Sequence, residues 1–348
     1  LIMTAKLSQT LAVQSGPAPD RTAAVRPMPD SPDMEMNLKN TLTMACRFFF
    51  EKNNREPGIE LPVQTVDLSA FNLDKPDRLA SAWLGHSSLM INISGYRILT
   101  DPVFENKVSL VGPSRFSRRF PLDPDKLTHV DLVIISHDHY DHLNKASVRK
   151  LAPVTKQFVV PSGVGKRLIR WGIPETKITE LYWWESYTHD SALTVTATPS
   201  QHFSGRGLTD RNTTLWASWV IRTEQFKVFF SGDSGYFKGF KTIGDKYGPF
   251  DMTFMECGAY DPMWHGVHMY PEETVQAHLD LKGGLLHPIH WGTFNLAFHS
   301  WDDPMKRLVK AAEINGVEIA TPVAGKTIEY DSSDRGYLWW EGLAARQN

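Results

Sequence analysis

Cysteine is scarce in this 348-residue sequence, with Cys46 and Cys257 the two present. Two thiols make no disulfide framework, so cysteine usage leaves the redox compartment open. Charge of one sign is also lacking. Lys and Arg number 37 against 39 Asp and Glu, a formal net charge of −2, which gives no global field to draw nucleic acid. No apolar run reaches the length of a membrane span, and no low-complexity tract or solenoid period recurs. The first residues lack the basic start and compact apolar centre of a secretory signal. What remains, with 41% hydrophobic and 22% charged residues, describes a soluble globular protein with a large core. The expected location is the cytoplasm, with peripheral membrane contact as an addition.

The counts that stand out are thirteen histidines and eleven tryptophans. Three of the histidines sit within six residues, His137-Asp138-His139-Tyr140-Asp141-His142. The short β-branched run 130–135 precedes them and reads as a buried strand. A loop leaving such a strand is held by a rigid element, and His-x-His-x-Asp-His offers nitrogen and oxygen donors suited to zinc. Neighbouring donors cannot all reach one ion, so His137 and His139 are expected to face one metal, Asp141 and His142 another. The same placement recurs down the chain. His202, Asp233 and His290 each follow a predicted strand (193–198, 227–231 and 285–289), so four strand ends on one sheet edge would bring these residues together.

Organisation follows from composition. Residues 1–33 have no periodicity and read as a mobile leader; 34–80 form an N-terminal extension, and 81–348 the folded domain. Within it, 89–93 and 96–100 form a hairpin around Ser94-Gly95. Further strands are predicted at 157–160, 215–222, 250–255, 317–320 and 327–330. Helices are predicted from 147, at 164–171, at 271–281 with Pro271 in the first turn, and at 304–314. The loop Arg115-Phe116-Ser117-Arg118-Arg119-Phe120 mixes cations with aromatic rings. With residues 48–50 it is the expected contact for an anionic membrane surface; the alternative is an internal strut.

These residues resemble the metallo-β-lactamase superfamily. Trp83-Leu84-Gly85-His86, Leu99-Thr100-Asp101-Pro102, Gly112-Pro113, the tract 135–143, Trp183-Trp184-Glu185, Thr198-Pro199-Ser200-Gln201-His202, Gly232-Asp233-Ser234-Gly235-Tyr236 and His290-Trp291-Gly292-Thr293-Phe294 resemble the family of N-acylphosphatidylethanolamine-hydrolysing phospholipase D. The resemblance spans roughly 81–330. It implies an α/β fold, a metallo-β-lactamase-like four-layer αβ/βα sandwich with a dinuclear site between two sheets. It also implies that His137, His139 and His202 hold one ion, that Asp141, His142 and His290 hold the other, and that Asp233 bridges them. Two Zn2+ are expected, with Mn2+ or Fe2+ compatible with the donors. Asp101 is expected to orient a ligand imidazole, and Cys257 to be a buried thiol.

The implied reaction is phosphodiester hydrolysis of phospholipase D type. Zinc brings the pKa of water from ~15.7 to about 7 and so provides the attacking hydroxide. The products are phosphatidic acid and an N-acylethanolamine-like alcohol, whose departing oxygen needs a proton or a metal contact. His268 is the first candidate to supply that proton and His86 the second; Asp233 belongs to the catalytic set as the bridge. Trp183, Trp184, Met263, Trp264, Trp291 and Phe294 are the expected acyl groove. Two alternatives keep the metals: hydrolysis of an acyl-homoserine or sugar-phosphate lactone, and a regulatory protein that binds metal without turnover. The expected partner is a phospholipid or other phosphodiester, with no nucleic acid. The sequence leaves the oligomeric state open, a homodimer among the options.

Overall fold

The computed structural model describes residues 43–344 except 45, 48, 49, 52, 73, 75, 111, 208 and 337. The leader expected over 1–33 lies outside them, as do Phe48 and Phe49. Seven strands make a first sheet: β1 (Leu79–Gly85), β2 (Ser88–Ile93), β3 (Tyr96–Thr100), β4 (Val130–Ile134), β5 (Thr155–Pro161), β6 (Ile178–Leu181) and, from the far end of the chain, β14 (Thr327–Glu329). Their order is β14-β1-β2-β3-β4-β5-β6. The second sheet holds β7 (Ser186–His189), β8 (Leu193–Thr198), β9 (Ser218–Arg222), β10 (Lys227–Phe230), β11 (Phe250–Glu256), β12 (Gly283–Ile289) and β13 (Glu318–Ile319), in the order β13-β12-β11-β10-β9-β8-β7. Each sheet begins as an antiparallel meander and continues in parallel from β3 or β10.

Parallel neighbours need crossovers, and the chain supplies helices for them. α1 (Lys145–Leu151) and α2 (Gly165–Arg170) serve the first sheet; α3 (Gly239–Tyr247), α4 (Pro271–Asp280) and α5 (Asp303–Asn315) serve the second. Their ends follow the local sequence. The Asn144 side chain caps α1 by accepting the Ser147 N–H, and Gly316 closes α5 in a left-handed conformation.

Alternation along the strands sets the layers. Leu89, Ile91, Ile93, Leu132, Ile134 and Val159 pack toward the second sheet. Met90, Val133, Phe158 and Val160 face the other way, against Val148 and Leu151 of α1, Leu168 of α2 and Val164 just before it. Phe240, Ile243, Val275, Met305 and Leu308 bring α3, α4 and α5 onto the second sheet. The result is the four-layer αβ/βα sandwich, and the central strands of both sheets are buried on both faces.

Two parts of the sequence reading change. The folded unit begins before residue 81, because Leu61, Val66, Ala70 and Phe71 are buried in the core. Gln64 and Val66 donate their N–H groups to the carbonyls of Ala324 and Pro121. These apolar residues are irregularly spaced, so no period announces them. α3, β6 and β7 were also without a sequence signal; the two strands are short and largely exposed on one side. Among the described residues no helix is long and apolar enough to cross a membrane.

Candidate metal centre

The ends of β4, β8, β10 and β12 lie on one edge of the sandwich, and the loops leaving them meet. Ser136 accepts the Ala217 N–H at 2.9 Å through its carbonyl, and the His290 N–H donates to the His86 carbonyl at 3.0 Å. Gly232 makes the closest approach possible. It has φ +55, and a Cβ there would stand 2.4 Å from the Ser136 Cβ. His86, Asp101 and His290 also have positive φ without being glycine, a costly conformation that clusters at functional sites.

Asp233 Oδ2 occupies the middle. It lies 3.1 Å from Nε2 of both His142 and His290, 3.7 Å from that of His202 and 3.9 Å from that of His137. His139 Nδ1 is 2.8 Å from His137 Nε2 and 3.3 Å from His202 Nε2. Asp141 Oδ2 is 3.4 Å from His142 Nε2 and 3.6 Å from His290 Nε2. The structure thus brings all seven expected donors together, in a three-histidine group, an Asp141-His142-His290 group and Asp233 between them.

Whether these residues suit metal ions can be judged from spacing and protonation. Two donors of one tetrahedral zinc, each 2.0–2.1 Å from it, stand about 3.3 Å apart, and the distances above bracket that value. His142 Nε2, both ring nitrogens of His290 and Asp233 Oδ1 are buried without a hydrogen-bond partner. Buried polar atoms left so are expensive unless something else satisfies them. Burial and mutual proximity hold His137 and His202 well below the usual imidazole range, and burial holds His139 at about 4, so their lone pairs are available. Two buried carboxylates, Asp101 and Asp233, and the partly buried Asp141 call for positive charge in the same place. The site fits a pair of cations.

Supporting contacts fix the ligand rings. His142 Nδ1 donates to Asp101 Oδ2 at 2.7 Å, as the resemblance implied for Asp101, and His202 Nδ1 donates to the Val267 carbonyl at 3.0 Å. Ser136 joins Asp101 to His137: its N–H and Oγ–H donate to the two Asp101 oxygens, and its Oγ is 2.9 Å from His137 Nδ1. Asp138, inside the dense motif, serves structure instead. It accepts from Arg167 Nε and from the Gly205 N–H, both at 2.7 Å. Arg206 staples the loop by donating to the carbonyls of Asp138, His139 and Leu143.

Two candidates for proton transfer separate here by position and not by pKa, since burial lowers both, His268 to about 4. His86 is buried, and its Nε2 donates to Asp141 Oδ2 at 2.9 Å. Burial, with His290 beside it, pushes its pKa down to about 3. It does not line the cavity over the metal centre, so its expected role as proton donor is corrected to orienting Asp141. His268 does line that cavity, together with His139, Asp141, His202, Asp233 and His290. Its Nδ1 is 2.9 Å from Glu256 Oε2, a contact the sequence reading missed although Glu256, like the donors, ends a strand.

The cavity encloses about 300 Å³, and its other wall is Met44, Phe203, Ala259, Trp264, Val267 and Leu296. Of the expected acyl groove only Trp264 is there. Trp291 stacks between Trp83 and Trp339, Trp183 donates to the Trp216 carbonyl, and Phe294 packs on His86. The arginine loop is corrected in the same way. Arg115 is buried and donates to the carbonyls of Val103, Glu105 and Leu84, with its guanidinium 4.9 Å from the Phe120 ring. Arg119 donates to Thr65 Oγ1. Arg115 is thus an internal strut held by carbonyls, while Arg118 and Arg119 are exposed and the Arg118 N–H donates to Glu60 Oε1 at 3.2 Å.

Comparison with known proteins agrees with this architecture. A family model for a β-lactamase superfamily domain matches residues 96–291. An uncharacterised protein of Mycobacterium tuberculosis is 45% identical over 288 residues, covering 80% of this chain and 77% of that one. N-acyl-phosphatidylethanolamine-hydrolyzing phospholipase D 1 of Caenorhabditis elegans is 32% identical over 294 residues, covering 79% and 81%. Among solved structures, Igni18, a metallo hydrolase from the archaeon Ignicoccus hospitalis, aligns with a TM-score of 0.55 at 20% identity, over 73% of this chain and 99% of that one, a likeness of fold. With two sheets, a converging His/Asp edge and these relatives, the chain belongs to the metal-dependent hydrolases of the β-lactamase superfamily.

Proposed function

We propose that this hydrolase is a dinuclear phosphodiesterase of phospholipase D type. Its substrate would be an N-acylphosphatidylethanolamine-like phospholipid, and its products phosphatidic acid and an N-acylethanolamine. The observation that carries this reading is the cavity itself: one half is the His/Asp cluster, the other half is apolar. A substrate that fits must bring a metal-seeking group and a hydrocarbon substituent together. The similarity to the nematode phospholipase D supports the choice of a phosphodiester.

His137, His139 and His202 would hold one ion and Asp141, His142 and His290 the other, with Asp233 shared. Zinc suits this nitrogen and oxygen set, and manganese or iron(II) are compatible. Bound there, the ions supply Lewis acidity toward phosphoryl oxygens and make water nucleophilic near neutral pH. The protein's own part is positional. Asp101 and the Val267 carbonyl take the Nδ1 protons of His142 and His202, which leaves each Nε2 turned to the centre. His86 holds Asp141, His268 stands in the cavity beside the reacting bond, and the apolar wall takes the chain and excludes water.

A membrane partner is part of the same reading, since the substrate is a bilayer lipid. A cleft of about 1200 Å³ next to Tyr140 is lined by Lys107, Lys145 and Arg149, none of them ion-paired among the described residues, and by Leu110, which is 98% exposed. Cations beside an exposed leucine suit an anionic lipid surface.

The test is a panel of phosphodiesters and lactones offered to metal-analysed protein in water enriched in oxygen-18. The expected result is release of N-acylethanolamine from vesicles, with the label in phosphatidic acid. Lactone opening without phosphodiester cleavage, or no turnover by protein with two ions per chain, would overturn the proposal.

A further inference from the structure

The apolar wall of the cavity includes one residue from outside the sandwich, Met44. Met44, Cys46, Arg47 and Phe50 are helical, and the stretch that carries them is fastened to the domain. Arg47 Nη1 donates to Asp261 Oδ1 at 2.9 Å and its Nε to Glu51 Oε2 at 2.6 Å. Its guanidinium lies 4.2 Å over the Phe298 ring. Asp261 is buried, and the same Oδ1 accepts the Met263 N–H, which opens the turn Pro262–Trp264. Trp264 at the end of that turn is another wall residue. One carboxylate therefore sets both the arm and part of the wall.

The arm is tied again further along. Asn53 Nδ2 donates to the Phe298 carbonyl at 3.1 Å, the Trp301 N–H to the Asn54 carbonyl at 3.1 Å, and Asn295 Nδ2 to Glu56 Oε1 at 2.8 Å. Leu296, inside the loop so fastened, also lines the cavity. A segment with a charged latch and three further hydrogen bonds is a wall of the site.

We propose that Met44 is a specificity-determining residue: with Trp264 and Leu296 it closes the apolar end of the cavity and sets the length of alkyl or acyl chain accepted. The Arg47–Asp261 latch holds it in place. The proposal rests on the phosphodiesterase reading for the head group alone; the hydrocarbon class of the substituent follows from the wall.

The test uses the full metal-loaded chain and a series of n-alkyl phosphates, with affinity measured by calorimetry. Wild type gains about fourfold per methylene while the chain is being buried, then breaks at one length. Met44→Trp moves the break to shorter chains and Met44→Ala to longer ones. Arg47→Ala, paired with Asp261→Asn so that no buried charge is left alone, removes the break. Unchanged melting temperatures confirm that the variants are folded. A break at the same length in all four proteins, or no length dependence in wild type, overturns the inference. If phosphodiesters are not cleaved yet the break moves with Met44, the wall stands and the head-group reading falls.

Discussion

Glu256 Oε2 stands 2.9 Å from His268 Nδ1, while Glu256 Oε1 accepts the Met269 N–H at 2.7 Å. A carboxylate buried at the end of β11 thus fixes the one cavity imidazole outside the seven-donor set. The ring is held through Nδ1, and Nε2 is the nitrogen left for the cavity. Burial, with Asp233 nearby, raises the Glu256 pKa well above the usual carboxylate range, and Glu256→Gln keeps the shape while removing the group that can take up or give a proton beside His268. The expected outcome is a kcat lower by about 10- to 100-fold with both ions retained. His268→Ala should lose about 10²–10⁴-fold, and adding Glu256→Gln to it should cost nothing more. Loss of an ion from Glu256→Gln would show that the carboxylate is itself a ligand.

Asp233→Asn is the sharpest test of the shared centre. Oδ2 faces four imidazoles within 3.9 Å, so an amide there removes the one negative charge both groups use. Hydrolysis should vanish and bound metal should fall below two ions per chain. Retention of both ions with activity intact would refute the bridge.

How far the sequence told this in advance depends on the kind of signal. The donors were legible because each follows a short apolar strand, and a rigid strand end is where a ligand loop has to start. β4, β10 and the latter part of β12 were visible as short apolar runs, β8 by its alternation, and β2 with β3 as a hairpin through alternation and the Ser94-Gly95 turn. Glu256 was hidden because its role is defined by His268, twelve residues on, and pairing across loops leaves no period. Met44 was hidden more deeply, since only the tertiary latch between Arg47 and Asp261 brings it to the cavity. The arginine loop misled because composition does not say which way a side chain points; Arg115 points inward to carbonyls.

Metal binding should expel protons. Burial opposes charge on His142, but Asp233, Asp141 and Asp101 together hold its pKa well above the usual value. Burial likewise opposes charge on His290, yet Asp233 and Asp141 raise it to about 10. Raised values mean that both rings carry protons in the metal-free protein at pH 7, whereas ligation needs the neutral ring. The sign follows: affinity climbs with pH, by about tenfold per unit for each proton displaced. Calorimetry of zinc binding in buffers of different ionisation enthalpy should find about two protons released at pH 7. A value near zero would mean that these histidines are neutral before the metal arrives.

Gly232→Ala probes how tightly the ligand loops are packed. The added Cβ would fall 2.4 Å from the Ser136 Cβ, in a left-handed conformation that alanine adopts with strain. The backbone term alone is on the order of 1–3 kcal/mol, and relief of the clash must move either Ser136 or the neighbouring Asp233. The expected outcome is a melting temperature several degrees lower together with weaker metal retention. Equal stability with full metal content would mean that the two loops have room the geometry denies.

The remaining prediction concerns the membrane. In the loop Arg115–Phe120 the buried cation is Arg115, and exposed Arg119 is tied to Thr65 Oγ1, so Arg118→Ala with Arg119→Ala should leave vesicle binding within about twofold, a rim effect. The cleft beside Tyr140 is different, because Lys107, Lys145 and Arg149 have no acidic partner among the described residues while Leu110 is almost fully exposed. Each cation near an anionic surface is worth about 1 kcal/mol, so three removed together should weaken binding by about a hundredfold. Tyr140 lies in this cleft between His139 and Asp141, whose side chains face the metal cavity, so a docked cleft keeps the catalytic loop within reach of the bilayer. Hydrolysis of vesicle lipid should fall with binding, whereas a short-chain monomeric phosphodiester, which needs no surface, should be cleaved at the wild-type rate. Sedimentation with anionic and neutral vesicles separates the cases. Unchanged binding to anionic vesicles by the triple alanine variant would leave the cleft as an ordinary solvated face.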